Sequence, residues 1–339
     1  MAGFIKTTSG TVPQVKTVLS FRDHIGTARA RIGIARNQYT VNPGLYSVGS
    51  PSKESPIFVT ANYKLSFDAL RKELTEMNAW ILVVDTRGIN VWCAAGKGTF
   101  SADEIALQVQ RAGLVNIVSH RELILPQFGA TGVASQKLQK MCGFNGVFGP
   151  LRAEDIPRFM DNSRKADETM RSVTFTFSER LVLVPVEVML IWKILALVTA
   201  IIFILSGISP EVYSFQSAWT RGLTAVGATI TAILTGALAA PALLPWIPGR
   251  QFWLKGVIAG AFSGTLYLLT MMAGSGISEK IGIWFWIVGA ASYMVMNFTG
   301  ATPYTSLSGV EKEMRKGLPI QGIATLLALI FWIAAPFVN

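Results

Sequence analysis

The chain has 339 residues, of which 51% are hydrophobic and 15% charged, with a formal net charge of +10. Soluble domains carry about a quarter charged residues, so the composition argues against an ordinary soluble enzyme and against a disordered chain. Two cysteines and two histidines rule out a disulfide scaffold, a four-cysteine zinc site and a self-contained iron–sulfur cluster.

Residues 1–180 hold 22 of the 30 basic and 15 of the 20 acidic residues. The rest of the chain is nearly uncharged, which accounts for the mean hydropathy of +0.43. No clustered Lys/Arg run accompanies the basic excess, so no nucleic-acid partner is expected, and a membrane surface is the simpler use of the charge.

The first ten residues are polar and lack the apolar core of a signal peptide. Residues 11–55 are turn-rich and read as a β-rich cover. Residues 57–61, Ile-Phe-Val-Thr-Ala, predict a strand ending near Thr60. Ser66 predicts the cap of a helix over 67–78, with Leu70 and Leu74 on one face. Residues 80–85, Trp-Ile-Leu-Val-Val-Asp, form the continuous apolar run of a buried parallel strand. Helical spacing follows over 102–112. A short strand is expected at 115–118, ending near His120. Ile124 and Leu125 precede a Pro/Gly-rich loop that contains Gln127 and runs through Gly132. A helix over 133–142 and an edge strand at 146–148 complete the pattern. This alternation predicts an α/β domain over residues 1–150, with a parallel sheet that binds ligands at its carboxyl ends.

Residues 151–180 read as a charged linker with a small helix. Residues 181–339 predict a bundle of five transmembrane helices at about 182–206, 218–240, 254–273, 281–299 and 319–338. With the first half in the cytosol, Arg250, Lys255, Lys312, Arg315 and Lys316 fall inside, and Arg221 and Lys280 fall outside near span ends. That bias follows the positive-inside rule and puts the C-terminus outside. Trp246, Trp253, Trp284, Trp286 and Trp332 are candidate interfacial anchors. Glu187 and Lys193 in the first span read as orienting charges, since one pair is too few for a relay. Glycines at 222, 227, 236, 256, 260 and 264 predict close helix packing.

Residues 85–100 carry the chemistry: Asp85-Thr-Arg-Gly-Ile-Asn90-Val-Trp-Cys93-Ala-Ala-Gly-Lys97-Gly-Thr-Phe100. The segment is not a phosphate loop, because the positions that need Gly and Ser/Thr are Val91 and Gly98. On spacing alone Cys93 is either a buried structural thiol or a reactive, metal-binding thiolate at a helix start, its pKa lowered by that position and by Lys97. Cys142 reads as a core residue before a Gly143 cap.

Asn90-Val-Trp-Cys-Ala-Ala-Gly-Lys97 resembles the cap-helix motif of the corrinoid-dependent mercury methylation proteins (HgcA family). Val59-Thr-Ala-Asn-Tyr-Lys64, Ser119-His-Arg-Glu-Leu-Ile-Leu-Pro-Gln127, Asn297-Phe-Thr-Gly-Ala-Thr-Pro-Tyr304 and Ser308-Gly-Val-Glu-Lys-Glu-Met314 extend the resemblance along nearly the whole chain. The cap motif is shared more loosely with the corrinoid iron–sulfur protein of the acetyl-CoA pathway. That protein needs cluster cysteines which this chain lacks, and it has no membrane half.

The resemblance implies a Rossmann-like corrinoid-binding domain followed by an all-α membrane bundle in the cytoplasmic membrane. It implies a cobalamin-type corrinoid bound base-off, with the Cys93 thiolate as lower cobalt ligand, and methyl transfer from cobalt to mercury(II). Asn90, Val91, Trp92, Ala94, Ala95, Gly96 and Lys97 are the implied cofactor contacts, with the small residues admitting the flat macrocycle. Thr60, His120 and Gln127 are expected on the same side, against its amides or nucleotide tail. The implied partners are a dicluster [4Fe-4S] ferredoxin-like reductant and a methyl donor of methyltetrahydrofolate type, acting through a separate methyltransferase. A membrane-bound corrinoid methyl carrier of one-carbon metabolism, or a membrane sensor or transporter, are the alternative readings.

Overall fold

The computed structural model describes residues 2–302, 305 and 307–338. Pro303 and Tyr304, the end of the Asn297–Tyr304 motif, lie outside the described residues. The chain forms two compact units, one up to Val173 and one from Thr174 onward.

In the first unit β1 (Gly3–Thr7) and β2 (Gly10–Gln14) make an antiparallel hairpin. Then come α1 (Phe21–Arg31), β3 (Gly44–Val48), β4 (Ile57–Ala61), α2 (Lys64–Lys72), β5 (Ala79–Val84), α3 (Val91–Gly96) and α4 (Ala102–Arg111). They are followed by α5 (Leu114–Ile117), β6 (Glu122–Leu125), α6 (Ser135–Cys142), β7 (Asn145–Phe148), α7 (Ile156–Asp161) and α8 (Glu168–Arg171). All seven strands form one sheet in the order β1-β2-β3-β5-β4-β6-β7. β5, β4, β6 and β7 run parallel, whereas β3 is antiparallel to β5. The sheet is therefore mixed. The segment expected as a cover, residues 11–55, contributes β3 and most of β2 to it.

Every residue of β4 and β5 is buried, as in a sheet covered on both faces. Val59, Leu82 and Val84 on one face share a core with Ile105 and Val109 of α4 and Leu138 of α6. Phe58, Ile81 and Val83 on the other face share one with Phe67 and Leu70 of α2 and with Ile156, Phe159 and Met170. Those last three residues correct the linker expected over 151–180. Up to Val173 it belongs to the first unit, because its few apolar side chains close the second face of the sheet.

Two further elements differ from expectation. Residues 115–118 are not a strand. The chain enters α5 through Gly113 at a φ of 58° and buries Leu114 and Ile117 in one helical turn. A four-residue apolar run fits either geometry, and the strand is Glu122–Leu125 instead. α2 starts at Lys64 behind Tyr63, so Ser66 sits inside its first turn.

Charge fastens α1 to α2. Asp23 closes a capping box with Ser20 and pairs with Lys64 at 2.6 Å and Arg71 at 3.0 Å. Burial pushes the Asp23 carboxyl up. The hydrogen bonds from Lys64 and Ser20 outweigh it and hold the group well below the usual carboxylate range. A depressed folded pKa adds stability above the unfolded value of about 3.9, and that stability is lost as the pH falls below it. Acidification from about pH 4 down towards the depressed folded value should therefore loosen α1 progressively. Asp23→Asn should loosen it at neutral pH and flatten the acid loss. Hydrogen exchange of the α1 amides reads both, and unchanged protection at about pH 2 would contradict the assignment.

The second unit contains α9 (Phe177–Leu181), α10 (Val184–Leu205), α11 (Phe215–Ile233), α12 (Ala240–Ala242), α13 (Phe252–Met271), α14 (Ile277–Ala301) and α15 (Leu307–Val338). A π-helical turn, Leu234–Ala239, joins α11 to α12. Five helices, Phe177–Leu205, Phe215–Ala242, Phe252–Met271, Ile277–Gly300 and Ser308–Val338, are long and apolar enough to cross a membrane. A stripe of glycines seats α13 on α14. A Cβ on Gly256 would lie 2.6 Å from the Ser292 Cα, and one on Gly260 would lie 2.9 Å from the Val288 Cα.

Polar ties link the other helices. Arg221 pairs with Glu279 at 2.7 Å, donates to the carbonyls of Ser206 and Trp332, and lies over the Trp332 ring. Glu313 accepts the N–H groups of Phe252 and Trp253 at the start of α13. Lys255, expected as a loop charge, is buried and donates to the carbonyls of Leu244 and Ile247. Of the expected tryptophan anchors, Trp286 and Trp332 are packed, donating to Thr229 and Ser206 at 2.9 Å each.

Candidate functional site

Cys93 stands just beyond the carboxyl end of β5, on α3. The loop before it is fixed by a side chain from the neighbouring strand. Asn62 follows β4, and its N–H donates to the Val84 carbonyl at 2.9 Å. Its Oδ1 accepts the N–H groups of Thr86 and Gly88, both at 3.0 Å, and lies 2.8 Å from the Thr86 hydroxyl. Its Nδ2 donates to Asp85 at 3.0 Å, and Asp85 in turn accepts the Arg87 N–H at 2.9 Å. Arg87 and Gly88 turn the chain with φ of 57° and 75°. At Gly88 a side chain has no room, since a Cβ would lie 2.9 Å from the Asn37 carbonyl oxygen.

Asn90 then caps α3, its Oδ1 accepting the Cys93 N–H at 2.8 Å. Val91, Ala94 and Ala95 of this helix are buried. Trp92 and Cys93 are half-buried, and Gly96 and Lys97 are exposed. Cys93 and Gly96 lie one turn apart on the outer face, so no side chain overhangs the sulfur from that position.

The outer face is the one that can hold a ligand. Ala94 and Ala95 are buried in the core beneath that face, and Ala95 lies against the loop after β6. A Cβ on Gly132 would lie 2.3 Å from the Phe100 carbonyl oxygen and 2.9 Å from the Ala95 Cα. Gln127 opens the 3-10 turn Gln127–Gly129 in that loop, at the carboxyl end of β6.

Thr60 is the penultimate residue of β4, paired with Val83 near the carboxyl ends of the strands, and it is buried. His120 is at the opposite edge of the sheet. It precedes β6, its Nε2 lies 3.0 Å from the Ser55 carbonyl, and its Nδ1 accepts the Glu122 N–H. Ser55 in turn precedes β4, so His120 marks the amino ends of the strands and is separated from Cys93 by the length of the sheet.

The electrostatics also differ from expectation. Burial pushes the Cys93 thiol up, and Lys97, Arg36 and the Asn90 hydrogen bond offset this only in part. Burial therefore opposes the lowering that a helix start and Lys97 would give by themselves. Cys142 is half-buried at the end of α6, donating to the Leu138 carbonyl at 3.3 Å.

Sequence reasoning missed three residues of this edge. Asn62 anchors the loop. The Tyr63 hydroxyl is buried without a hydrogen-bond partner among the described residues. The Arg36 guanidinium lies 5.5 Å from the Tyr63 ring centroid. Asn62 and Tyr63 fall in the quoted Val59–Lys64 motif, which was the available signal. Arg36 gave none.

Residues 17–160 match the family described as "CdhD: CO dehydrogenase/acetyl-CoA synthase delta subunit". The chain is 32% identical over 121 residues to the corrinoid/iron-sulfur protein large subunit of Moorella thermoacetica, covering 35% of this chain and 27% of that one. It is 30% identical over 132 residues to an acetyl-CoA decarbonylase/synthase complex subunit gamma of Methanosarcina acetivorans, covering 38% and 28%. The corresponding subunit of Methanopyrus kandleri is 27% identical over 128 residues, covering 37% and 27%. The chain thus spans about a quarter of the length of these curated relatives. Its first unit carries a domain related to the corrinoid iron–sulfur protein large subunit.

Proposed function

We propose that this protein is a corrinoid-dependent methyl-transfer protein that uses Cys93 as the cobalt ligand and mercury(II) as the methyl acceptor. The observation that carries the proposal is the Cys93 thiol on the outer face of α3, at the carboxyl ends of parallel strands, in the segment similar to corrinoid proteins.

The residues fit such a cofactor. The described residues hold no cluster of three or more His, Cys, Asp or Glu suited to a metal ion. The sulfur is a soft donor, Gly96 leaves the face beside it flat, and a buried phenol at Tyr63 awaits a partner.

When bound, a corrinoid would supply a methyl group carried on cobalt, and Cys93 is the residue that would hold the metal through its soft sulfur. The chain's own residues do the positioning. Asn90 and Asn62 fix the helix and loop that carry the sulfur, so its approach is set before the cofactor binds. Burial favours the neutral thiol at Cys93, while Lys97 and Arg36 would favour the anion that a metal ligand must become.

Mercury(II) as acceptor is supported by the resemblance of the motif Asn90–Lys97. A dicluster ferredoxin-like reductant and a methyltetrahydrofolate-type donor with its methyltransferase complete the proposed cycle. The five helices of the second unit tether the protein in the cytoplasmic membrane, with the first unit in the cytosol. The relatives favour a second reading, a methyl carrier of one-carbon metabolism in which another electrophile takes the methyl group.

The test loads the full chain in detergent with methylcobalamin, adds mercury(II) anaerobically, and follows methylmercury against a protein-free control. Cys93→Ala should lose at least the roughly 10–100-fold that removal of an outer-shell partner alone costs a metal site. Cys93-dependent corrinoid binding without accelerated methylmercury formation would select the one-carbon carrier. Failure to bind any corrinoid would sink both readings.

A further inference from the structure

Tyr63 stands where β4 gives way to α2, at the same edge of the sheet as Cys93. It is 4% exposed. It shares a hydrophobic core with Val91 and Ala94 of the Cys93 helix. Its backbone pairs with Thr40 in an isolated bridge. The segment around Thr40 also meets the Cys93 loop, since a Cβ on Gly88 would touch Thr40 and the Asn37 carbonyl. Arg36, at the start of that segment, lies over the Tyr63 ring. The same guanidinium is felt at Cys93, and a Cys93 thiolate is felt at Tyr63. One small region thus holds the sulfur, the cation and the phenol.

Yet among the described residues the Tyr63 hydroxyl has no partner. Its neighbours are committed elsewhere: Arg36 donates to the Ala30 carbonyl at 3.2 Å, and the Tyr39 hydroxyl donates to the Asp23 carbonyl at 3.3 Å. A buried hydroxyl without a hydrogen bond is destabilising, and a phenylalanine would fill the same space without that cost. Buried polar groups in folded proteins are overwhelmingly paired, so the exception calls for a cause outside the resting chain.

We infer that the Tyr63 hydroxyl is held unpaired as a hydrogen-bond donor for an acceptor oxygen on the periphery of the cofactor bound at Cys93. This role rests on the corrinoid reading above. It makes Tyr63 a binding residue whose cost is borne by the empty protein and recovered on binding.

The inference has a signature that a structural tyrosine lacks: one substitution moves two quantities in opposite directions. In the full chain without cofactor, Tyr63→Phe should raise the melting temperature of the first unit by about 2–4 °C. The same substitution should weaken binding of hydroxocobalamin, followed by its visible absorption, by roughly three- to tenfold. Cys93→Ala runs beside it. A lower melting temperature for Tyr63→Phe would show that the hydroxyl already has a partner, a trapped water included, and would overturn the inference. So would unchanged affinity in a protein whose binding Cys93→Ala abolishes, with the corrinoid reading left standing. If the unaltered protein binds no hydroxocobalamin, the functional reading fails and the role of Tyr63 fails with it.

Discussion

Asn62→Ala is expected to cost roughly 3 kcal/mol of stability in the first unit and to free the loop that carries Cys93. The substitution removes an acceptor for the N–H groups of Thr86 and Gly88, and a donor to Asp85. Both N–H bonds are buried, so their donors are left without water or protein to replace the lost oxygen. The loop also holds Arg87 at positive φ, which an arginine tolerates only when its surroundings impose it. Without Asn62 that strain relaxes and the register of Asn90 relative to Cys93 loosens. Hydrogen exchange at Gly88 and at Cys93 should rise together with the fall in stability. Asn62→Asp keeps the oxygen that faces the two N–H groups but sets a charge against Asp85, and it should recover only part of the loss. Unchanged protection at Gly88 in Asn62→Ala would show that the loop holds itself.

Gly132→Ala should disturb the same helix from the other side. The added Cβ would meet the backbone of Phe100 at 2.3 Å and of Ala95 at 2.9 Å. Neither contact is with the tip of a flexible side chain, so α3 or the loop after β6 must move. Overpacking of this kind costs about 1–3 kcal/mol. Because α3 carries Cys93 on its opposite face, the displacement should also change the rate at which the thiol is alkylated in the cofactor-free protein. Gly143→Ala is the control. It is another loop-side glycine of the unit, at a φ of 77° and with nothing within 4 Å of its Cβ, so it should destabilise through backbone strain without altering the Cys93 rate. An equal change in both variants would argue that the Cys93 rate reports global loosening only.

Much of this was legible in the chain, and the gaps have physical causes. The central strands could be read because 57–61, apart from Thr60, and 80–84 are apolar, as strands buried on both faces are. The five long apolar helices were legible from length and hydropathy alone. The motif around Cys93 marked the sulfur, and Asn90, expected among the cofactor contacts, is the residue that caps α3.

His120 was misplaced through a single element. With 115–118 read as a strand, residue 120 falls at a carboxyl end. With the strand at Glu122–Leu125 the same residue falls at an amino end. A four-residue ambiguity thus moved a side chain from one edge of the sheet to the other. The roles of Asn62 and Tyr63 were not readable, because their partners lie more than twenty residues away or are missing. The raised pKa of Cys93 was missed because burial depends on how the chain folds around α3 and not on which residues adjoin it.

The hairpin at the start of the chain has a consequence for how the first unit behaves in isolation. The segment shared with the relatives begins at residue 17, after β1 and β2. Val15 donates to the Ser47 carbonyl at 2.9 Å, and β2 lies along the side of β3 that faces away from β5. A fragment cut at residue 17 would leave that side of β3 bare, with its backbone groups free to pair with a second copy. In the intact chain the outermost strand is β1, which is five residues long and carries an exposed lysine, Lys6. Short edge strands with a charged residue resist such self-association. The hairpin therefore also guards solubility, and a soluble fragment chosen by family boundaries alone would be expected to aggregate where one running from Ala2 to Val173 would not.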